Sequence, residues 1–396
     1  MSIAAVPDYL GQDFHNASPG MRFGMYLRIW HSNWSKSTDP DWPSICKMDR
    51  TDQTLLKSLH SRQSALRAGL PEQDSLYLPA KATAPFTTGL GNEHPLENGF
   101  AFLWPYGLPY LSGSGVKGVV RQAARELAKG DWGDKHGWST EKRHIVKSGK
   151  TTIELSDLDL LFGLESADGG KDHFRGLLTF WDVIPEITGN LAIDVMTPHQ
   201  KRYYQGSEPP HDSDQPVPIT FLTVPAGSTF PFHVTCDAQR MQRIAAHLLE
   251  TEDGAPPWQT LLTSAFEHAF DWLGFGAKTA VGYGAMEVDQ RAARAAEEEA
   301  ARKREERERA TLSPEERQIA DLRKQLEADR AADRKEAGGP LNEQRLKLLQ
   351  AALEWEDPAL RKQAASLLRE TAKFLPWAKK RKKKIQEQLA RLEGSS

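Results

Sequence analysis

The chain changes character at one point, and that point limits what either side of it can become. After "GYGAMEVD" (282–289), the run "QRAARAAEEEAARKREERERA" is almost wholly Ala, Glu, Arg and Lys. Such a stretch has no apolar stripe to bury, so it reads as an exposed helix held by charge pairs three and four apart. "SPEE" (313–316) restarts a helix, with Ser313 as cap, Pro314 at the first helical position and Glu316 closing a capping box. "GGP" (338–340) ends it, and 341–393 carries Leu and Ala at helical spacing with breaks near Pro358 and Pro376. Trp355 and Trp377 are expected to pack these helices. The spacing thus predicts a body, 1–289, and a charged α-helical C-terminal extension, 290–396.

Charge divides at the same place. The body holds 25 Lys and Arg against 34 Asp and Glu, net −9, and the extension 26 against 20, net +6, which together give the chain's −3. An acidic body does not draw polyanions from a distance, so any nucleic-acid contact must be local or must rely on positive charge from partner chains. The two cysteines, Cys46 and Cys236, lie far apart without a Cys-x-x-Cys pairing. That excludes a disulfide framework and a thiolate zinc site, and fits a reducing cytosol. Neither a signal-peptide pattern nor an apolar run long enough for a membrane is present, so a cytoplasmic protein without membrane partners is expected.

Within the body, "MRFGMYLRIW" (21–30) reads as a strand and "TLLKSLHSRQSALRAG" as a helix. "NGFAFLW" reads as a further strand, followed by the helix of "SGSGVKGVVRQAARELA". "RGLLTFWDVIP", "VPITFLTVP" and "STFPFHVTC" are Pro- and Gly-bounded strands, "AQRMQRIAAHLLE" and "WQTLLTSAFEHAFDWL" amphipathic helices, and "GYGAMEV" a last strand. Strand, helix, strands, helix, strand is the ferredoxin-like (RRM-like) α+β order, here with polar insertions at 31–50, 130–152 and 186–216.

Three motifs carry the chemistry. In "PYLSGSGVKGVVRQAARELA" (109–128), Val116, Val119, Val120, Ala123 and Leu127 form the stripe that packs on a sheet, while Lys117, Arg121 and Arg125 share the other side. A solvated charged face is the plain alternative. Against it, Ser112, Gly113, Ser114 and Gly115 leave amides and hydroxyls bare, and Lys117 in the first turn opposes the helix dipole unless an anion compensates. In "GFGAKTAVGYG" (274–284), four glycines surround Lys278 and Thr279. Ala277 stands where a Walker A loop needs glycine, so nucleotide hydrolysis is not expected. A glycine-rich bend into the last strand explains some of these glycines but not Lys278.

"DVMTPHQKRYY" (194–204) gathers Asp194, His199, Lys201, Arg202, Tyr203 and Tyr204, basic residues beside aromatics as a backbone-plus-base surface requires. His199 could be a general base in RNA cleavage, or simply a hydrogen-bonding loop histidine. The remaining histidines, including His94, His136, His144, His173, His211 and His233, are scattered without ligand spacing, so no metal and no cofactor are expected. "KKRKKK" (379–384) reads as a solvated helix end, with a weak nucleic-acid contact as the alternative.

"GLPYLSGSGVKGVVRQAA" paired with "GFGAKTAVGYGAM", with "LFG" (161–163), "GLLTFWDVIP", "DVMTPHQKRYY…PVPITFLTVPAGSTFPF" and the upstream "TTGLGNEHPLENGFAFLWPYG" in order, resembles the RAMP superfamily of CRISPR-associated proteins. Within it, the pattern over about 80–289 is most similar to the sixth-subunit family of type III-B (Cmr) effector complexes. The first motif departs from the family's Pro-Gly-Ser-Ser: Ser112 replaces the Pro and Gly115 the second Ser, which shifts the burden of a phosphate contact onto amides and Lys117.

The resemblance implies a ferredoxin-like RAMP fold that binds guide RNA (crRNA) and helps assemble an antiviral effector, capping the 3′-end side of the guide filament without catalysis of its own. It implies as partners the backbone RAMP subunit, the small helical subunit and an adjacent capping RAMP subunit, with target RNA as a further candidate. The residues expected at RNA are Ser112, Gly113, Ser114, Lys117, Arg121, His199, Lys201, Arg202, Tyr203, Gly274, Gly276, Lys278, Thr279 and Gly282. Other superfamily members process guides by metal-independent acid–base chemistry; that alternative would use His199 with Tyr203 and Lys117 or Lys201.

Overall fold

The structure, a computed structural model, describes residues 2–37, 40–133, 136–148, 151–165, 173–197, 206, 218–251, 254–336, 338–376, 385–387, 389, 390 and 392. It separates into two compact units, Met1–Ala293 and Arg294–Ser396.

The first unit is built on a four-stranded sheet of β1 (Ser75–Ala82), β2 (Leu178–Phe180), β3 (Thr229–Cys236) and β4 (Met286–Val288). The spatial order is β2-β3-β1-β4, and every neighbouring pair is antiparallel. Helix α1 (Arg50–Ala68) precedes β1, α2 (Gly113–Lys129) lies between β1 and β2, and α3 (Pro257–His268) between β3 and β4. The fold is therefore mixed α+β.

The sheet's opening strand is not the one the sequence suggests. Pro19–Phe23 is a short helix, and only Arg28–Trp30 of the expected 21–30 strand is extended, outside the main sheet. The true first strand, "SLYLPAKA", escapes notice because Pro79 sits inside it, where proline normally argues against a central strand. The register removes the conflict. Pro79 faces Pro231 across the β1–β3 ladder, and its carbonyl points the other way, accepting the Asp289 amide at 2.9 Å where β4 ends. Neither proline is asked to donate to the other.

Helix α2 buries Val116, Val120, Ala123, Ala124, Leu127 and Ala128, the stripe expected from its spacing plus two alanines, while Val119 stays half-exposed. Small residues on this face let the helix lie close to the sheet. Helix α3 adds Trp258, Leu262, Ala265 and Phe266. Phe232 is the centre of the aromatic core, with ring centroids 5.2 Å from Phe266, 5.6 Å from Phe270 and 5.0 Å from Phe275. The insertions form hairpins: His144–Ser148 with Thr151–Leu155, and Ala192–Met196 with Ile219–Thr223. The "AQRMQRIAAHLLE" helix is broken, ending at Ile244 before a single turn, Ala246–Leu248.

The second unit begins inside α4 (Gln290–Thr311), which buries none of its residues. Next come α5 (Pro314–Ala331), α6 (Pro340–Ala352) and α7 (Pro358–Phe374). The capping box at α5 is formed: the Glu316 amide donates to Ser313 Oγ at 3.1 Å and the Ser313 amide to Glu316 Oε2 at 2.7 Å. These three helices are more than charged rods. Ile319, Leu322, Leu326, Leu348, Leu349, Ala364 and Leu368 make a separate hydrophobic cluster, with Trp355 packed into it.

Candidate nucleic-acid interface

The N-terminus of α2 is closed by the protein itself. Gly113 donates its amide to Asp182 Oδ1 at 2.7 Å, and Gly115 donates to Ser112 Oγ at 3.2 Å, with the Ser114 hydroxyl on Ser112 Oγ at 3.1 Å. Asp182 is thus the anion that the helix dipole favours, supplied from the strand side. Gly113 is bare for packing: a Cβ there would lie 2.1 Å from the Phe180 carbonyl oxygen. The expectation that all the bare amides of this turn await a ligand is corrected on that ground, leaving the Ser114 amide on the open face. Gly118, one turn on and exposed, has nothing within 4 Å of a Cβ, so Ser114 and Gly118 make an exposed patch of small residues.

Beside that patch lies a cation cluster. Lys117 is half-buried, and desolvation together with the neighbouring Arg121 and Arg175 charges lowers its pKa. Arg121 is also half-buried; it donates Nη2 to the Gly163 carbonyl at 3.0 Å, and burial and Arg125 lower its pKa against the opposing pull of Asp159 and Glu165. Its Nε finds no partner among the described residues. Among the described residues, no acid figures in the charges acting on Lys117. Holding like charges together out of water is unfavourable unless an anion meets them, and a polyphosphate backbone is such an anion. Arg175, on the short strand Phe174–Arg175, was not singled out in the sequence, since only the fold brings it to α2.

The second glycine motif is a tight loop ahead of β4. Gly274, Gly276, Gly282 and Gly284 all have positive φ. Two of these glycines are obligatory for packing: a Cβ on Gly276 would stand 2.3 Å from the Thr87 carbonyl oxygen, and one on Gly284 would stand 1.8 Å from that of Phe275. The Phe275 ring between them is fully buried. Lys278 itself adopts the left-handed region at φ 60°, which costs a side-chain-bearing residue about 1–2 kcal/mol relative to glycine. Local preference does not explain a lysine here. Its Nζ lies 5.2 Å from the centroid of the Phe221 ring, and its carbonyl accepts the amides of Val281 and Tyr283. Thr279 opens the single turn Thr279–Val281, and Gly282 is exposed with no neighbour within 4 Å of a Cβ.

The hairpin Ala192–Met196/Ile219–Thr223 leans on this loop. The Tyr283 hydroxyl donates to Asp194, and desolvation plus that carboxylate push the phenol up to about 12. Phe221 of the same hairpin packs on Tyr283 with centroids 5.7 Å apart. The stem that carries "DVMTPHQKRYY" is therefore anchored beside Lys278, through residues that the sequence did not mark. His199, Lys201, Arg202 and Tyr203 lie outside the described residues.

The two motifs do not form one pocket. The α2 turn rests on Phe180 of β2, which is in register with Val234 and, through it, Leu76; the glycine loop enters β4 at Met286, opposite Ala82. These anchors are on opposite edges of the sheet and six residues apart along β1, a separation of about 20 Å along the strands and about 14 Å across them.

Both motifs, two of the four strands and parts of the other two lie within a region, residues 80–287, that matches the RAMP superfamily model. The chain belongs to the RAMP superfamily. Its RAMP region covers β1 from Ala80 onward and ends within β4. The chain is 28% identical over 240 residues to the CRISPR system Cmr subunit Cmr6 of Pyrococcus furiosus, an alignment covering 52% of this chain and 66% of that protein. It thus spans just under two thirds of that relative's length. Among solved structures this RAMP chain is similar to one in the type III-B Cmr-beta complex bound to cognate target RNA, at TM-score 0.41 and 16% identity over 63% of this chain and 69% of that one. It is also similar to Cmr6 from Pyrococcus furiosus, at TM-score 0.27 and 25% identity over 54% of this chain and 97% of that one. Among the described residues, no helix is long and apolar enough to cross a membrane.

Proposed function

We propose that this chain is a non-catalytic guide-RNA-binding and assembly subunit of a type III-B, Cmr-type CRISPR effector, acting in the cytoplasm. Its partners are crRNA, target RNA and the other Cmr-type subunits, and its place is the 3′-end side of the guide filament. Membership of the RAMP superfamily and the sequence similarity to a protein named as a Cmr subunit support that assignment. We read the β2-β3-β1-β4 sheet with α2 and α3 as the ferredoxin-like arrangement. Residues 1–289 form the RNA-binding domain, and 290–396 a charged helical extension with its own task.

The observation that carries RNA binding is Lys117, half-buried beside Arg121 and Arg175, with no acid of the described residues among the charges that act on it. Lys278 supplies a second positive point on the opposite edge. With about 24 Å between their anchors, the two lysines touch different phosphates along one strand rather than clasping a single one. Contacts of this kind position RNA without reading it.

The test is binding and effector assembly by Lys117→Ala, Lys278→Ala and the double variant, across several guides and salt concentrations. Each single loss weakens binding to the same degree for every guide and lowers the salt slope by about one unit or less. Wild-type affinity and slope in the double variant would overturn the assignment.

A further inference from the structure

Away from both glycine motifs, three side chains from separate stretches meet. His144 opens the hairpin His144–Ser148/Thr151–Leu155, Asp157 is the first residue of the short helix Asp157–Phe162, and His247 lies in the turn Ala246–Leu248. His144 Nε2 and Asp157 Oδ1 are 2.6 Å apart, and the two residues are only 5% and 4% exposed. The exposed His247 ring is stacked on His144, 11° from parallel with centroids 5.5 Å apart. One ligand atom from each residue lies within 4.8 Å of the other two.

Two imidazoles and a carboxylate are a zinc-type donor set. Zn–N and Zn–O bonds of about 2.1 Å in a tetrahedron place ligand atoms about 3.4 Å from one another. The present spacings bracket that value. The His144–Asp157 pair needs to part by less than about 1 Å, and His247, being exposed, is free to turn inward.

We infer that His144, Asp157 and His247 form a site for a divalent transition metal of the zinc class, with the fourth position open to water. The metal would clamp the hairpin, the short helix and the 246–248 turn to one another, three elements that the sheet itself does not join. The sequence hides this site because its ligands are dispersed along the chain, and the expectation of no metal rested on that dispersion.

Cobalt(II) titration of the chelator-stripped full chain tests it. A saturable visible absorption band at one equivalent, displaced by zinc(II), is expected, together with a zinc-dependent rise in Tm. His247→Ala, at an exposed position, should abolish both while its metal-free Tm and circular dichroism stay at wild-type values. Asp157→Asn should weaken cobalt binding by about tenfold or more. A folded wild-type chain without a saturable band, or a band undiminished in His247→Ala, would overturn the site. None of these readouts involves RNA, so their failure would leave the proposed function standing.

Discussion

Asp182 accepts the Gly113 amide at 2.7 Å and so occupies the helix N-terminus that the bare glycine turn, read as sequence, offers to a ligand. The consequence is a division of labour. The carboxylate serves the helix, and Lys117 one turn further, beside Arg121 and Arg175, is left for a polyanion. Asp182→Ala should therefore lower stability by about 0.5–2 kcal/mol, as the loss of a cap does. It should leave RNA affinity equal to or above that of wild type, because an amide is freed and a negative charge removed. Thermal unfolding and RNA titration on the same preparation check both halves.

The glycines of the two motifs should separate by role. Gly113→Ala and Gly276→Ala drive a Cβ onto a backbone carbonyl and should destabilise by several kcal/mol, or prevent folding. Gly118→Ala enters open space on a helix and should stabilise by about 0.5–1 kcal/mol. Gly118→Glu should fold equally well yet weaken RNA binding by placing a negative charge beside Lys117. Chemical denaturation of the set, with RNA affinity for the two Gly118 variants, distinguishes packing from access.

Lys278 offers a cleaner test, since its backbone favours glycine. Lys278→Gly should keep or raise Tm while RNA affinity falls and the salt slope drops. A fall in Tm with RNA affinity intact would assign the lysine to the Phe221 contact instead.

Stability should also depend on Asp52. Burial pushes this carboxyl up to about 6, although the Asp49 amide and the Arg22 charge pull it the other way. The folded state therefore holds a proton that the unfolded chain, with an ordinary carboxyl near 3.8, releases earlier. The stabilisation is complete below about pH 4 and is lost as pH rises through 6, by an amount on the order of 1–3 kcal/mol. Asp52→Asn keeps an oxygen for the Asp49 amide and removes the titration. The stability difference between variant and wild type should thus shift in the variant's favour between pH 4 and 6.5, measured by denaturant unfolding.

The second unit, with a hydrophobic cluster of its own, should melt as its own cooperative element. Leu368→Ala, at a fully buried position, should cost about 2–5 kcal/mol in that unit alone. A chain ending near Ala293 should keep the Tm of the RAMP body. Two calorimetric transitions, only one of which responds to Leu368→Ala, is the expected result.

Local order alone determined much of this protein. The helices at 50–68, 113–129 and 257–268, the Ser313 capping box, the last two main strands and the change of composition near residue 290 follow from periodicity, caps and side-chain chemistry within a few residues. The two glycine motifs, together with the motifs that precede and separate them in order, marked the superfamily. What the tertiary structure decided are the relationships that depend on distant partners. Pro79 is admissible in a central strand only because Pro231 faces it. Gly113 and Gly276 are bare because the Phe180 and Thr87 carbonyls press on them. Arg175 joins Lys117, and His247 joins His144 and Asp157, through folding alone. Propensity and spacing act within a turn or two of the chain. Close packing, register and the meeting of charges are set by residues far apart along the chain, and no local pattern records them.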